Sequence, residues 1–210
     1  MTRQSEKGVG APLRRKEDAR FLEGRGQFVG DIRRRGMLDV AFVRSPVAHA
    51  RIAGIEKPTG LEHRVWTMGD LEGVAPIRAV SGLKGFKASD LWPLAKDKVR
   101  HVGESVAMCV AETRAEAEDI AAQVYVDYEE LPAVVDMIAA RTEPPACVHQ
   151  HWGDNVFLET LIDDDLEQVR ATAPVKVRRH IRTARQSMAP LEGRGVVCEW
   201  NERLGQLEIC

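Results

Sequence analysis

The 210-residue sequence contains 30 Lys and Arg against 32 Asp and Glu, which gives a formal net charge of −2. This balance is that of an ordinary soluble protein, and it provides no global field that would attract nucleic acid or an anionic membrane. No apolar run approaches the length of a membrane span, and the basic N-terminus lacks the apolar core of a signal peptide. We therefore expect a cytoplasmic protein with one domain, or one domain and part of a second.

The N-terminal region begins with a polar, basic stretch, residues 1–16, and then contains a cluster of glycines. Residues 1–16 predict an extended arm, and residues 17–22 can form one helical turn. The segment GRGQFVG, residues 24–30, is one residue too long for a G-x-G-x-x-G dinucleotide fingerprint, and no predicted strand precedes it. A glycine turn is therefore favoured over a nucleotide site. Three arginines at residues 33–35 could contact an anion or a partner, but the balanced net charge favours a solvated hairpin tip.

Short strands are predicted between residues 37 and 66. Residues 37–43 alternate as a strand does. Pro46 then breaks the pattern, because it forces an extended or turn geometry on Ser45. Residues 50–55 and 63–66 predict two further strands, and residues 67–70 offer a cap for a short helical turn. His49 has no nucleophile or acid partner indicated nearby, so a structural histidine bonded to the backbone is favoured over a catalytic one.

A long irregular loop is predicted for residues 75–97, which contain several glycines and prolines. Loops of this length are often binding elements or segments that a partner orders. The apolar sequence Leu-Trp-Pro-Leu at residues 91–94 makes part of this loop an interface candidate. The alternative is that these side chains pack over the protein's own sheet.

The most regular stretch lies between residues 99 and 132. Residues 106–111 form a short apolar run, which is typical of a strand buried on both faces. Thr113 and Glu116 have the spacing of a capping box, in which each side chain bonds the other residue's backbone N–H. An alanine-rich helix follows, and Ile120 is its one large apolar anchor.

A second strand is predicted directly after this helix. Residues 124–129 alternate apolar and polar side chains with a period of two, and Pro132 stops the pattern. A strand, a helix and a strand in succession are consistent with a right-handed βαβ crossover. The predicted fold class is therefore α/β (α+β), rich in strands, with a capped helix between two of them.

The cysteines and histidines offer one metal-like group. The sequence has no C-x-x-C pair, which argues against an iron–sulfur cluster or zinc ribbon in this chain. Cys109 lies in the apolar run and is expected in the core. Cys147, His149 and His151 would share one face of an extended segment and could ligate zinc or copper. The spacing places no fourth ligand, so we predict that they bind no metal.

The last third of the sequence contains an acidic run, an alternating basic segment and a terminal hairpin. Residues 163–165 are three aspartates without the glycine and glutamate of an EF-hand, which favours a solvated turn or a helix N-cap. Residues 175–182 predict a strand with Val175, Val177 and Ile181 on one face and basic groups on the other. No aromatic side chains interleave the basic groups, so a solvent-exposed face or a subunit contact is favoured over phosphate binding. Residues 194–210 predict a hairpin.

Several of these segments resemble one known family. The motifs are RKEDARFLEGRGQFVGD at residues 15–31, AFVRSPVAHARI at residues 41–52, the stretch VGESVAMCVAETRAEAEDIAAQVYVDYEELPAVVD from residue 102, and P-[ML]-E-x-R at residues 190–194. They are similar to the large subunit of molybdenum hydroxylases, the family of xanthine dehydrogenase, aldehyde oxidase and aerobic carbon monoxide dehydrogenase. The resemblance covers nearly the whole chain, from about residue 10 onward.

The resemblance implies a division of the chain into four parts. Residues 1–17 would be an N-terminal arm, and residues 18–140 the hammerhead domain of the family. Residues 141–185 would connect this domain to residues 186–210, the first strands of an incomplete molybdenum-cofactor domain.

The resemblance also implies a function. The chain would be the N-terminal part of a molybdenum-dependent oxidoreductase large subunit, with a structural and subunit-docking role. The family's pterin loops and general base have no counterpart in this sequence, so no catalytic, cofactor-binding or metal residue is assigned, and enzymatic activity of the chain itself stays open. Another polypeptide would carry the molybdenum–pterin cofactor, with iron–sulfur and flavin subunits as further partners. Both a split-gene subunit and a truncated copy fit this description, and the substrate is not indicated. The alternative is a stand-alone, non-catalytic interaction module of hammerhead fold.

Overall fold

A computed structural model describes residues 8–9, 11, 14–143, 146–160, 166–184 and 186–210. The predictions for the aspartates at residues 163–165 and for most of the arm at residues 1–16 concern residues outside this description. The chain forms two compact units. We call Gly36–Val177 the central unit, and we call Met1–Arg35 together with Arg178–Cys210 the terminal unit.

The described residues form four short to medium helices and ten strands. The helices are α1 (Asp18–Leu22), α2 (Arg114–Gln123), α3 (Met137–Thr142) and α4 (Leu166–Thr172). The strands are β1 (Asp39–Arg44), β2 (Ala50–Glu56), β3 (Val65–Thr67), β4 (Ile77–Arg78), β5 (Asp90–Leu91), β6 (Lys98–Val99), β7 (Ser105–Ala111), β8 (Tyr125–Glu130), β9 (Cys198–Asn201) and β10 (Gln206–Ile209). None of these helices combines the length and the apolar character needed to cross a membrane.

The first sheet of the central unit has the strand order β1-β7-β3, and both pairings are antiparallel. The middle strand β7 places Cys109 opposite Ala41 on one side and Val65 on the other. Helix α2 packs on β1 and β7 and buries Ala117 and Ile120 in the same cluster. Burial between two neighbouring strands and a helix explains why the sequence of β7 is almost wholly apolar.

The second sheet of the central unit has the order β6-β2-β8, again antiparallel. Its core contains Ala50, Ala95 and Val99, and Val106 of β7 belongs to the same cluster. Adjacent residues of a strand point to opposite faces, so Val106 lies in this cluster while its neighbour Ala107 lies in the first one. The prediction that residues 106–111 are buried on both faces is confirmed.

Helix α2 begins as the sequence predicts. The Thr113 hydroxyl oxygen accepts a hydrogen bond from the Glu116 backbone N–H at 3.2 Å, and Thr113 itself has extended backbone angles. The reciprocal bond from Glu116 to the Thr113 N–H is not formed in the described chain, so half of the predicted capping box is present. Ile120 is buried, which confirms it as the anchor of the helix.

The fold class is confirmed as mixed α/β, with the capped helix between strands β7 and β8, but the βαβ crossover is wrong. A crossover joins two parallel strands of one sheet, whereas β7 lies in the first sheet and β8 pairs antiparallel with β2 in the second. Helix α2 covers the first sheet, and the chain then passes to the second. The period of two in β8 is confirmed, because Val126 and Tyr128 are half-buried while Tyr125 and Asp127 are exposed.

The connections of the central unit also follow local sequence signals. Thr67 donates to the Asp70 carboxylate from its backbone N–H at 2.6 Å and from its hydroxyl at 2.7 Å, which caps the single turn Met68–Asp70 as predicted. The predicted irregular loop at residues 75–97 is confirmed, because the only regular elements within it are the two-residue strands β4 and β5. Gly36, with φ of +70°, leads into β1. The element before it is the turn Val29–Asp31 and not a strand, so the exposed arginines at residues 33–35 are not at a hairpin tip.

The strand predicted at residues 175–182 is wrong. Residues 173–184 contain no strand, and the side chains of Val175, Val177 and Ile181 are all largely exposed. Alternation favours a strand only where a neighbouring strand supplies hydrogen bonds and a surface to pack on. By contrast, the predicted C-terminal hairpin is confirmed: β9 and β10 pair antiparallel, with Trp200 opposite Leu207.

Candidate functional site

The segment with the predicted Cys and His ligands is not extended. Residues Gln150–Trp152 form a single 3-10 turn, so Cys147, His149 and His151 do not share one face of a strand. The His149 ring instead stacks on Trp152, with the ring centroids 4.2 Å apart. Within the part of the chain that the structure describes, no group of three His, Cys, Asp or Glu side chains is placed to hold a metal ion.

Hydrogen bonds hold this segment as a structural piece of the central unit. The Asn155 side chain accepts from the Val148 N–H at 2.9 Å and donates to the Ala146 carbonyl at 2.8 Å. The Lys98 ammonium donates to the Val148 carbonyl at 2.7 Å. These bonds satisfy backbone groups that would otherwise be left unpaired in a segment without regular structure.

The same segment is also tied to the long loop before β6. Lys87 forms an ion pair with Asp154 at 2.6 Å, and its backbone N–H donates to the Phe157 carbonyl at 2.8 Å. The Trp152 indole donates to the Ala88 carbonyl at 3.0 Å. Together these contacts fix the loop and the segment to each other, which is a packing role and not a ligand-binding one.

His149 is held in its neutral form by this environment. Burial lowers the pKa of His149 to about 4, and the positive charges of Arg100 and Lys98 act in the same direction. His49 has a structural role, as predicted: its Nδ1 lies 2.8 Å from the Pro132 carbonyl oxygen, which can only accept, so Nδ1 donates. The partners of the two rings are thus a backbone carbonyl for His49 and the Trp152 ring for His149.

At residues 91–94, the interface candidate, one leucine packs inside the protein and the other remains exposed. Leu94 is 3% exposed and packs inside the central unit, whereas Leu91 remains largely exposed. Lys96 lies over the Trp92 ring at 5.1 Å from its centroid. Self-packing therefore explains Leu94, and an open surface remains around Leu91.

The terminal unit contains an apolar pocket that sequence analysis missed. Its lining residues are Phe21, Gly24, Gly26, Phe28 and Leu191, and we call it the aromatic notch. The two phenylalanine rings stack with their centroids 6.0 Å apart. Leu191 is more than 160 positions away in sequence, so no local pattern could have associated it with the two rings.

The aromatic notch does not have the lining that a molybdenum–pterin cofactor needs. A pterin carries ring nitrogens and oxygens that need hydrogen-bond partners when they are buried. The aromatic notch is lined by apolar side chains and glycines, none of which has a polar side-chain group.

Comparisons with known proteins place this fold in a class of redox enzymes. The chain is 38% identical, over 92% of its length, to part of the nicotine 6-hydroxylase large subunit of Paenarthrobacter nicotinovorans. The structure superposes on quinoline 2-oxidoreductase from Pseudomonas putida 86 with a TM-score of 0.84, at 35% identity, over 98% of this chain. It also matches a Cu,Mo-CO dehydrogenase with a TM-score of 0.53, at 33% identity, over 68% of this chain. The chain is thus similar, over nearly its whole length, to part of the large subunits of known oxidoreductases.

The family model described as "Aldehyde oxidase and xanthine dehydrogenase, a/b hammerhead domain" matches residues 23–132. The chain therefore belongs to this family, that of the molybdenum hydroxylase large subunits, and the predicted resemblance is confirmed. It spans about a quarter of the relatives named above: 25% of the nicotine 6-hydroxylase subunit, 27% of the quinoline 2-oxidoreductase chain and 18% of the Cu,Mo-CO dehydrogenase chain.

Proposed function

We propose that this chain is the structural and subunit-docking part of a molybdenum-dependent oxidoreductase. The observation that supports this most is the fold match to quinoline 2-oxidoreductase over nearly the whole chain, at a sequence identity well above chance. The hammerhead region supplies the stable core, and the terminal unit supplies exposed apolar surface.

Exposed apolar surface in the terminal unit supports the docking role. Trp200, Leu207 and Ile209 of the hairpin are all more than half exposed, as is Leu191 at the aromatic notch. Hairpins of two strands are marginally stable without a third strand or a packed face. Contiguous exposed apolar groups of this kind usually mark a surface that another chain or domain covers.

In this proposal the molybdenum–pterin cofactor is held by other residues of the assembly, and the apolar lining of the aromatic notch is consistent with this. When bound, such a cofactor would supply the redox centre for hydroxylation or dehydrogenation of the substrate. Two relatives support this proposal: one is a dehydrogenase whose name includes molybdenum, and the other is named as the large subunit of nicotine 6-hydroxylase. Iron–sulfur and flavin subunits are the further partners that we propose. The cytoplasmic location stays a prediction.

Two preparations of the full chain test this proposal. The first is the chain purified alone, and the second is the tagged chain recovered from its native host under mild conditions. Elemental analysis measures molybdenum, and a dye-reduction assay measures oxidation of aldehydes, purines and carbon monoxide. We expect neither molybdenum nor turnover in the isolated chain, and a molybdenum-bearing partner in the recovered complex.

Two results would contradict the proposal in different ways. Molybdenum bound at one per isolated chain, with turnover, would mean that the catalytic parts lie within these 210 residues. A stable partner without molybdenum or redox activity would support the alternative, a stand-alone interaction module.

A further inference from the structure

We infer that the aromatic notch binds an apolar side chain carried by an acidic segment of a partner subunit. This inference rests on the proposed docking role and specifies where docking occurs and what chemistry it needs. Several elements build the notch, two glycines line it, and the unit around it carries a surplus of positive charge.

Three separate segments build the notch. Phe21 comes from α1, Phe28 precedes the turn Val29–Asp31, and Leu191 comes from the distant end of the chain. The Glu192 carboxylate accepts from the Val29 backbone N–H at 2.7 Å, which holds the loop of Leu191 beside the two rings. The notch is therefore a fixed feature of the terminal unit and not a chance exposure of one loop.

The apolar groups of the notch remain in contact with water. Leu191 is 99% exposed, and Phe21 and Phe28 each keep two fifths or more of their surface exposed. A partner side chain seated against Leu191 and the two rings would remove these groups from water, and hot spots of interfaces are desolvated in this way. No other described segment of the terminal unit covers Leu191.

Two glycines line the aromatic notch. Gly24 has φ of +68°, a left-handed conformation that other residues adopt at a cost. A Cβ at Gly26 would lie 2.6 Å from a ring carbon of Phe21, so any side chain there would push into the ring. The absence of a side chain at Gly26 therefore lets the backbone pack directly against the Phe21 ring.

Charge indicates which partner fits. The terminal unit contains 16 Lys and Arg against nine Asp and Glu, a surplus of seven positive charges, whereas the central unit contains 14 against 23. The formal net charge of −2 conceals this division. Arg20 lies over the Phe21 ring at 5.1 Å from its centroid. The two carboxylates beside the notch are already engaged, Glu23 with Arg25 and Glu192 with the Val29 N–H, so Arg20 supplies positive charge at its edge. Complementary potentials speed association and exclude partners of like charge, which favours an acidic segment.

The test uses the full chain and the partner subunit recovered with it from the native host. Leu191→Glu places a negative charge in the notch, and Leu191→Met keeps an apolar side chain. Val80→Glu is the matched control, because Val80 is 94% exposed in the central unit. Thermal melts verify that each variant folds, and the dissociation constant for the partner is measured at low and high salt. A photo-crosslinking residue at position 191 then identifies the partner segment.

We expect Leu191→Glu to weaken partner binding by roughly tenfold or more, as loss of a hot spot does, while Leu191→Met and Val80→Glu bind normally. Binding should weaken as salt rises, and the crosslinked segment should contain an apolar side chain among Asp and Glu. Normal binding by Leu191→Glu, or a crosslink to a basic or uncharged segment or to a second copy of this chain, would overturn the inference while the proposed docking role survives. Failure of the wild-type chain to bind any subunit would overturn the docking role itself and the inference with it.

Discussion

Removing the hydroxyl of Thr113 should destabilise the central unit by a predictable amount. Thr113 precedes α2 and accepts one hydrogen bond from the Glu116 N–H at 3.2 Å. Without that bond, one N–H at the start of the helix loses its partner and must be satisfied by water. The loss affects the core because α2 buries Ala117 and Ile120 against the first sheet.

The magnitude follows from the one bond that is formed. Substituting an N-cap threonine by alanine costs about 1 kcal/mol, with a range of about 0.5 to 2. The reciprocal half of the capping box is missing at Thr113, so we expect a value near 1 kcal/mol and not the upper limit. For a protein of this size, such a loss lowers the melting temperature by roughly 2–4 °C.

Urea unfolding followed by tryptophan fluorescence measures this change. Thr113→Ser keeps the hydroxyl and should remain close to wild type. Asp127→Ala is the second control, because Asp127 is exposed on β8 and its replacement should change stability little. If Thr113→Ala were neutral and Asp127→Ala severe, our account of the strand, helix and strand would be refuted.

Three further predictions concern ionisable and metal-binding groups. Burial alone would raise the pKa of Asp70, but the hydrogen bonds from Lys57 and Thr67 lower it to about 2. The ionised carboxylate thus stabilises the fold at pH values above 3.8, its ordinary pKa, and this contribution is lost as the pH falls toward 2. Asp70→Asn should therefore lower the melting temperature at pH 7 but not at pH 2. The pKa of His149 should be near 4 in an NMR titration, and a value near 6.5 would contradict the burial argument. Because the pKa in the unfolded chain is 6.5, the stability of the fold should fall as the pH drops from 6.5 to 4. The purified chain should contain no zinc or copper, and stoichiometric metal that is lost in His149→Ala would overturn this.

Local signals in the sequence predicted most elements of the central unit. The apolar run of β7, the cap at Thr113 and the alternation in β8 each act through residues close together in sequence, so a single chain reveals them. The role of His49 was also predictable, because a lone histidine among small residues has few partners other than the backbone. The predicted division into an arm, a hammerhead domain and a cofactor-domain start stays a prediction, beside the two units that the structure defines.

Long-range pairing could not be predicted from the same signals. The order strand, helix, strand does not state which sheet the second strand joins, and the antiparallel pairing of β8 with β2 depends on a segment some 70 residues earlier. The aromatic notch presents the same difficulty, since Phe21 and Leu191 come from opposite ends of the chain. Nothing near either residue indicates the other.

The segment at residues 175–182 shows the limit of periodicity most directly. Val175, Val177 and Ile181 alternate with basic groups, although Arg179 interrupts their face, and this segment forms no strand whereas β8 does. The difference lies in the neighbours: β8 has the edge of β2 and a cluster of apolar side chains to pack against, whereas residues 175–182 have no adjacent strand among the described residues. Alternation therefore specifies which side chains would share a face, and a neighbouring strand determines whether the strand forms at all. The side chains of Val175, Val177 and Ile181 therefore stay exposed, since neither a neighbouring strand nor an apolar cluster of the described residues covers them.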